Sequence, residues 1–361
     1  MSSPTPSALT YDRAKIIRRA IFFVCLLGLA IISIFIHFKG LSSPRAMEQA
    51  QIARELARGN GYTTKVIRPL AIWQMQEAGV ENPKWDSLPD TYHAPLNPLV
   101  YAAVFKFVAV GEDKTWRMPL KTNIYELDRV VAVICIVFFL ISIGINYVLI
   151  ARIFDTTIAA TVAVLMLFCE LMWNLSQSGL PQMLMLMLFS TAMLFAWRAV
   201  ENTENDRPSL VPVLLSGVFM SLLVLSHWIT IWIVLGYLIF AAVYFKPRGV
   251  IAILILGILA IFIIPTIYFI YIQHTGSPLG TAYYVIHDNL GRSQDSIMRS
   301  LSPAGEELKL QGFITNVLAT TLRQITNLHA NLGAILAAPL FFLALLHPFN
   351  RAALAKFRWL I

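Results

Sequence analysis

Apolar residues recur along this chain in long blocks separated by short polar connections. The pattern predicts membrane-crossing helices at about 20–38, 128–150, 156–172, 181–199, 209–226, 228–245, 249–272 and 332–347. The fifth and sixth blocks run together. As one helix they would be ~55 Å long against a ~30 Å hydrocarbon core, so the polar triplet Ser226-His227-Trp228 is the expected reversal. Two long stretches, 39–127 and 273–331, separate the blocks. They carry Trp73, Trp85, Trp116, Phe313 and helical apolar patterns, which argues against disorder.

Within the first stretch, Ser43 can cap a helix that starts at Pro44 and stops at Gly59. At ~100° per residue Ala46, Ala50, Ile52, Ala53, Leu56 and Ala57 share one face. Glu48, Gln51, Glu55, Arg54 and Arg58 cover the other. Such a helix is expected to lie in the membrane interface, apolar side in lipid and carboxylates in the aqueous layer. A second interfacial helix is expected to open at Tyr92-His93-Ala94-Pro95-Leu96-Asn97-Pro98 and run to Val110.

Charge orients the array. Arg13, Lys15, Arg18 and Arg19 precede the first block, Arg152 follows the second, and Arg198 and Arg207 follow the fourth. Lys246 and Arg248 follow the sixth, and Arg351, Lys356 and Arg358 follow the eighth. With eight crossings all these lie on one side, the cytoplasmic one, and the short connections at 173–180 and 227 hold no Lys or Arg. The expected fold is therefore an all-α polytopic membrane protein of about eight transmembrane helices, both ends cytoplasmic, with two long periplasmic loops carrying interfacial helices. In chain order it has a cytoplasmic segment 1–19, a first span 20–38, a first loop 39–127, and helices two to seven over 128–272. A second loop 273–331, an eighth span 332–347 and a cytoplasmic end 348–361 complete it. The apolar start at Arg358-Trp359-Leu360-Ile361 suggests that the chain is truncated, a further apolar stretch beginning there.

Composition fits this picture. Of 361 residues, 57% are hydrophobic and 13% charged, more apolar surface than one soluble core can hold. The formal charge of +8 finds its partner in the lipid surface and anionic lipid substrates rather than nucleic acid, because no aromatic–basic RNA-binding pattern accompanies it. Cys25, Cys135 and Cys169 each fall in or beside an apolar block and read as small buried hydrophobes. The first block lacks a small-residue cleavage site, so it reads as a retained helix.

Candidate chemistry concentrates at the outer surface. Glu170 stands at the outer end of the third span and His227 at the next outer turn. Each is a functional candidate, and each also has a plain structural reading, as a snorkelling carboxylate or a satisfied histidine. Arg129 can hold a lipid phosphate or pair with Asp128. In the second loop His274-Thr275-Gly276-Ser277-Pro278-Leu279-Gly280 can present backbone N–H groups to an anion, and Arg292 and Arg299 offer bidentate phosphate contacts, or serve as surface arginines. The chain contains no P-loop, HExxH, GxSxG or paired CxxC motif. The spans hold almost no ionisable groups, which disfavours an ion-coupled transporter.

The order of these features resembles the GT-C class of membrane glycosyltransferases, which includes protein O-mannosyltransferases and the bacterial lipid A aminoarabinose transferase. The resemblance rests on the outer helix Met47-Glu48-Gln49-Ala50-Gln51-Ile52-Ala53-Arg54-Glu55, the Pro-containing helix at His93-Ala94-Pro95-Leu96-Asn97-Pro98, the Arg at the second span, and the late outer loop. It implies transfer of a sugar from a polyprenyl-phosphate donor to a glycan, lipid or protein acceptor at the outer face of a bacterial inner membrane, with a divalent metal as a further option. Glu48 is the implied first-loop carboxylate, although the family usually has Asp a few residues earlier, where this chain has Arg45-Ala46. Glu170 matches a second acidic position. Arg129 and Arg292 would stabilise the leaving phosphate, with His93 and His227 as further substrate contacts and Asp86 and Asp90 as reserve carboxylates. A transporter or flippase, or a non-catalytic relative binding lipid or a partner, are the competing readings.

Overall fold

The computed structural model describes residues 17, 20–22, 24–32, 34, 36, 38–80, 83–108, 124–247, 249–278, 280–281, 318–319, 322–323, 326–327 and 337–360. It is predominantly helical. Among the described residues three helices are long and apolar enough to cross a membrane: Glu126–Ile153, Gln182–Glu204 and Val250–Thr275. A bent pair of helices makes a fourth if it counts as one span. Chain-order labels are α1 (Pro44–Arg58), β1 (Thr63–Thr64), α2 (Pro69–Glu77), β2 (Leu88–Pro89), α3 (Leu96–Val108) and α4 (Glu126–Ile153). Then follow α5 (Thr156–Leu167), α6 (Glu170–Gln177), α7 (Gln182–Glu204), α8 (Leu210–Ser226) and α9 (Ile231–Tyr244). The last are α10 (Val250–Ile267), α11 (Ala337–Leu346) and α12 (Ala352–Phe357). The chain divides into two compact units, residues 1–50 with 104–190, and residues 51–103 with 191–361.

In the first unit α4 packs against α5 and α6. Glu126 and Asp128 in its first turn and Arg152 in its last complement the helix dipole. Asp155 caps α5 by accepting from the N–H groups of Thr157 and Ile158 at 2.7 and 2.8 Å. The expected third span, 156–172, does not run straight. It breaks after Leu167 and bends by 58° into α6. The Trp173 indole N–H donates to the Leu167 carbonyl at 2.6 Å, satisfying an acceptor that the break leaves without a helical partner. Midway along α4, Asn146 donates to Ser190 Oγ at 2.8 Å, a polar tie between two apolar helices.

In the second unit α8 ends at His227, whose extended backbone starts the 3-10 turn Trp228–Thr230 before α9. The Tyr237 hydroxyl donates to the Val213 carbonyl at 3.1 Å, a contact that a continuous helix across these 24 residues, ~36 Å long, could not make, so the chain reverses between α8 and α9 as expected. These two helices have 17 and 14 residues, ~26 and ~21 Å long. The Ser216 hydroxyl ties α8 to α7 through the Ala192 carbonyl. Helix α10 packs against α8, where Gly217 lets Ile255 approach. It carries Pro265, continues as a π-helix at Tyr268–Ile272 and ends in the turn Gln273–Thr275.

The expected outer helix is present as α1, but two expectations about it fail. Its apolar face does not lie in lipid, since Ala46, Ala50, Ile52 and Ala53 are fully buried in the protein. Glu55, expected in water, is buried too. Its carboxylate accepts from Asn60 at 2.6 Å and pairs with Lys65 at 3.3 Å, and these partners carry the burial cost. The chain is also not purely α-helical, because β1 and β2 form a small antiparallel sheet with Thr63 opposite Pro89. Helix α3 buries Tyr101, Ala102 and Phe105 and exposes Leu99, Phe107 and Val108. Among the cysteines only Cys135 is buried; Cys25 is exposed and Cys169 intermediate.

Candidate functional site

Burial and charge converge in the second unit, on the residues that flank the small sheet. Pro69 forces extended backbone on Arg68, which stands at the start of α2 with its side chain turned inward. Asp90 follows β2, and its backbone N–H donates to the Tyr62 carbonyl at 3.1 Å. The Asp90 carboxylate is 1% exposed. Its Oδ1 accepts from Arg68 Nη1 at 3.0 Å. Its Oδ2 accepts the His93 backbone N–H at 2.9 Å and lies 3.1 Å from His93 Nδ1. Burial pushes this carboxyl up, but the charge and hydrogen bonds of His93, joined by Arg68, outweigh it and hold Asp90 at about 2. Arg68 also stacks on Tyr92, its guanidinium 5.0 Å from the ring centre.

Around this ion cluster sits a shell of hydroxyls. Tyr62 and Tyr271 both donate to the His93 carbonyl, at 3.1 and 2.6 Å. Burial first, and the Asp90 charge second, push the Tyr62 hydroxyl well up, so it is a permanent donor. The Trp228 indole N–H donates to the Tyr271 hydroxyl at 3.1 Å. Thr281 closes the shell from the segment after the turn Gln273–Thr275, its backbone N–H and hydroxyl both bonding to the Thr91 carbonyl at 3.0 Å. Gln74 of α2 donates to the Gly280 carbonyl at 3.1 Å. Beside the cluster lies a small hollow with room for about one water molecule. Arg68, Thr64 and Thr91 give it polar groups; Val66, Ile72, Met75 and Leu88 give it apolar walls.

Of the residues singled out from sequence, Asp90 and His93 come together here. Asp86 is exposed in the turn Trp85–Ser87. His227 is exposed and caps the α8–α9 turn, its Nδ1 accepting from the Ile229 N–H at 3.4 Å. It is the neighbour Trp228 that reaches the cluster. Glu48 and Arg129 belong to the first unit, half-buried on α1 and exposed on α4 respectively. Glu170, also in the first unit, is not at the end of a continuous span. It is exposed in the first turn of α6, past the bend, where a carboxylate meets the positive end of the helix dipole. Arg292 and Arg299 lie outside the described residues, as do Trp116 and Phe313. Among the described residues no group of three or more His, Cys, Asp or Glu side chains is placed to hold a metal ion.

Sequence reasoning missed Arg68, Tyr62 and Tyr271. Arg68-Pro69 carried a local signal, a cation fixed in extended backbone at a helix start. The pair Asp90 and His93, three apart in a loop, carried another. Tyr271 carried none, being 178 residues from the carbonyl it binds. Comparison with protein families, with curated proteins and with solved structures finds no match to the chain.

Proposed function

We propose that the chain is a membrane glycosyltransferase of GT-C type that moves a sugar from a polyprenyl-phosphate donor to an acceptor at the outer face of a bacterial inner membrane. The observation that supports this most is the buried Arg68–Asp90–His93 cluster beside a small hollow with one cationic and several apolar walls. In the transfer, the bond from the sugar's anomeric carbon to the carrier phosphate oxygen breaks, and a bond to the acceptor oxygen forms. Negative charge builds on the departing phosphate, and Arg68, in the wall of the hollow, is the group that meets it. Asp90 does not take the acceptor's proton, because a carboxylate held at about 2 is too weak a base; it fixes Arg68 and His93. The proton goes to His93, oriented by Asp90, and the variant below tests this.

Topology favours the same reading. Within the second unit, Arg351 bonds Glu201 at 2.9 Å and its guanidinium lies 5.2 Å from the Trp197 ring centre, while Tyr244 bonds Glu204 at 2.5 Å. The ends of α7 and α9 and the segment before α12 thus meet, and this end carries Arg198, Arg207, Lys246, Lys356 and Arg358. The opposite end, at 226–231 and 268–281, carries no Lys or Arg. That asymmetry supports a cytoplasmic face for the first and an outer face for the cluster, within an array of eight crossings.

The test uses purified protein in lipid, a panel of polyprenyl-phosphate sugars, and release of the carrier phosphate as readout. Arg68→Gln is expected to lower release by roughly 100-fold, the loss seen when one transition-state donor is removed. A collapse in His93→Gln supports His93 as the base, and full release in that variant rules it out. A folded wild-type protein that releases nothing from any donor sinks the enzyme reading. It would favour a non-catalytic lipid-binding role, for which the full engagement of Asp90 by its own neighbours already speaks.

A further inference from the structure

We propose that Tyr271 and Trp228 are positioning residues that set the His93 ring for the reaction by holding its backbone carbonyl. The proposal rests on the glycosyl-transfer reading for its rate effect, but its geometry stands apart from it. The His93 carbonyl lies just before Ala94-Pro95 at the entry to α3. This buried carbonyl accepts from two hydroxyls. Tyr62 is a local donor. Tyr271 comes from the end of an apolar span, and its bond is the shorter, at 2.6 Å.

Three features place Tyr271. It lies within the π-helix Tyr268–Ile272, which starts three residues beyond Pro265. An added residue in a helical turn rotates everything after it by about 100°, so the π-turn sets the direction in which Tyr271 points. Its hydroxyl accepts from Trp228, whose ring meets it edge-on at 5.7 Å, which fixes the rotamer. On the other side Gly280, at φ +52, leaves no room for a side chain. A Cβ there would stand 2.6 Å from Tyr271 Cδ1 and 2.4 Å from the Thr91 oxygen. The span end thus reaches the His93 carbonyl through Tyr271, with Trp228 and Gly280 fixing its ring. Losing the Tyr271 donor leaves Tyr62 alone on that carbonyl and loosens the backbone that holds His93 Nδ1 3.1 Å from Asp90.

The test compares wild type with Tyr271→Phe, which keeps the ring and removes the donor. Protein labelled with ¹⁵N-histidine in lipid nanodiscs gives the His93 imidazole signals, assigned by their absence in His93→Gln. Expected are a melting temperature near wild type, displaced His93 signals with an altered pH titration, and kcat for carrier release down about tenfold at KM within twofold. His93 signals and titration that superpose on wild type overturn the proposal. If Tyr271→Phe does not fold, Trp228→Phe, which removes only the donor to the Tyr271 hydroxyl, decides by the same readouts. Should the wild type release no carrier, the glycosyl-transfer reading falls while the His93 signals still judge the positioning.

Discussion

Asp90 is pulled two ways. Its burial favours the neutral acid, while three hydrogen bonds, the charge of His93 when protonated and that of Arg68 favour the anion, and the anion prevails. The sign of the pH effect follows. The folded value of about 2 lies below the ordinary 3.8, so the ionised carboxylate stabilises the fold at pH above ~4. That contribution fades as pH falls through 4 toward 2. Asp90→Asn is accordingly expected to cost on the order of 2–4 kcal/mol at neutral pH, since it leaves Arg68 buried without its counter-charge. The gap between variant and wild type should shrink between pH 4 and 2. Denaturant unfolding in detergent over pH 2–7 reads it. A gap that keeps its size down to pH 2 would mean that Asp90 carries no charge in the folded protein.

Helix α1 links residues to the site through its ending. Gly59, at φ +88, lets the Asn60 N–H reach the Glu55 carbonyl at 3.0 Å and the Gly59 N–H reach the Leu56 carbonyl at 3.1 Å. Asn60 then turns its side chain onto the Glu55 carboxylate, and the chain leaves toward β1 and Arg68. Gly59→Ala forces a Cβ into left-handed backbone and is expected to cost ~1–2 kcal/mol, seen as a lower unfolding midpoint and faster proteolysis near 59–65. The bounds of α1 were legible because Pro44 and Gly59 act locally, and the α8–α9 reversal because a polar triplet interrupts an overlong apolar run. The burial of the α1 face was not, since alternation of polar and apolar positions marks a covered face without saying whether lipid or protein covers it. The bend after Leu167 was equally hidden, because Phe168-Cys169 contains neither Gly nor Pro. Nor did local pattern reveal the sheet, whose two strands are two residues each and lie 23 or more positions apart.

For the whole molecule, the open issue is which helices cross, and the second unit makes it testable. Among the described residues three helices have the length for it on their own, while α8 and α9 are short enough that crossing requires a locally thin bilayer or added turns at their ends. The apolar side chains they leave exposed, among them Trp232, Ile239 and Val243, favour lipid contact over a return to the same surface. If both cross, His227 and Ser277 lie on one face and Asn205 on the other. Single cysteines at these positions, introduced as His227→Cys, Ser277→Cys and Asn205→Cys in a variant lacking Cys25, Cys135 and Cys169, report this directly. A membrane-impermeant maleimide should label the first two in intact spheroplasts and Asn205→Cys only after permeabilisation. Labelling of positions 205 and 277 on opposite faces, with 227 on the side of 205, would turn α8 and α9 into a re-entrant pair. Trp228 and Tyr271 bond at 3.1 Å, so such a result would require that contact to be rebuilt across the membrane, which the ~30 Å hydrocarbon core forbids. The hydrogen bond and the labelling pattern therefore constrain each other: with Ser277 outside, His227 must be outside as well.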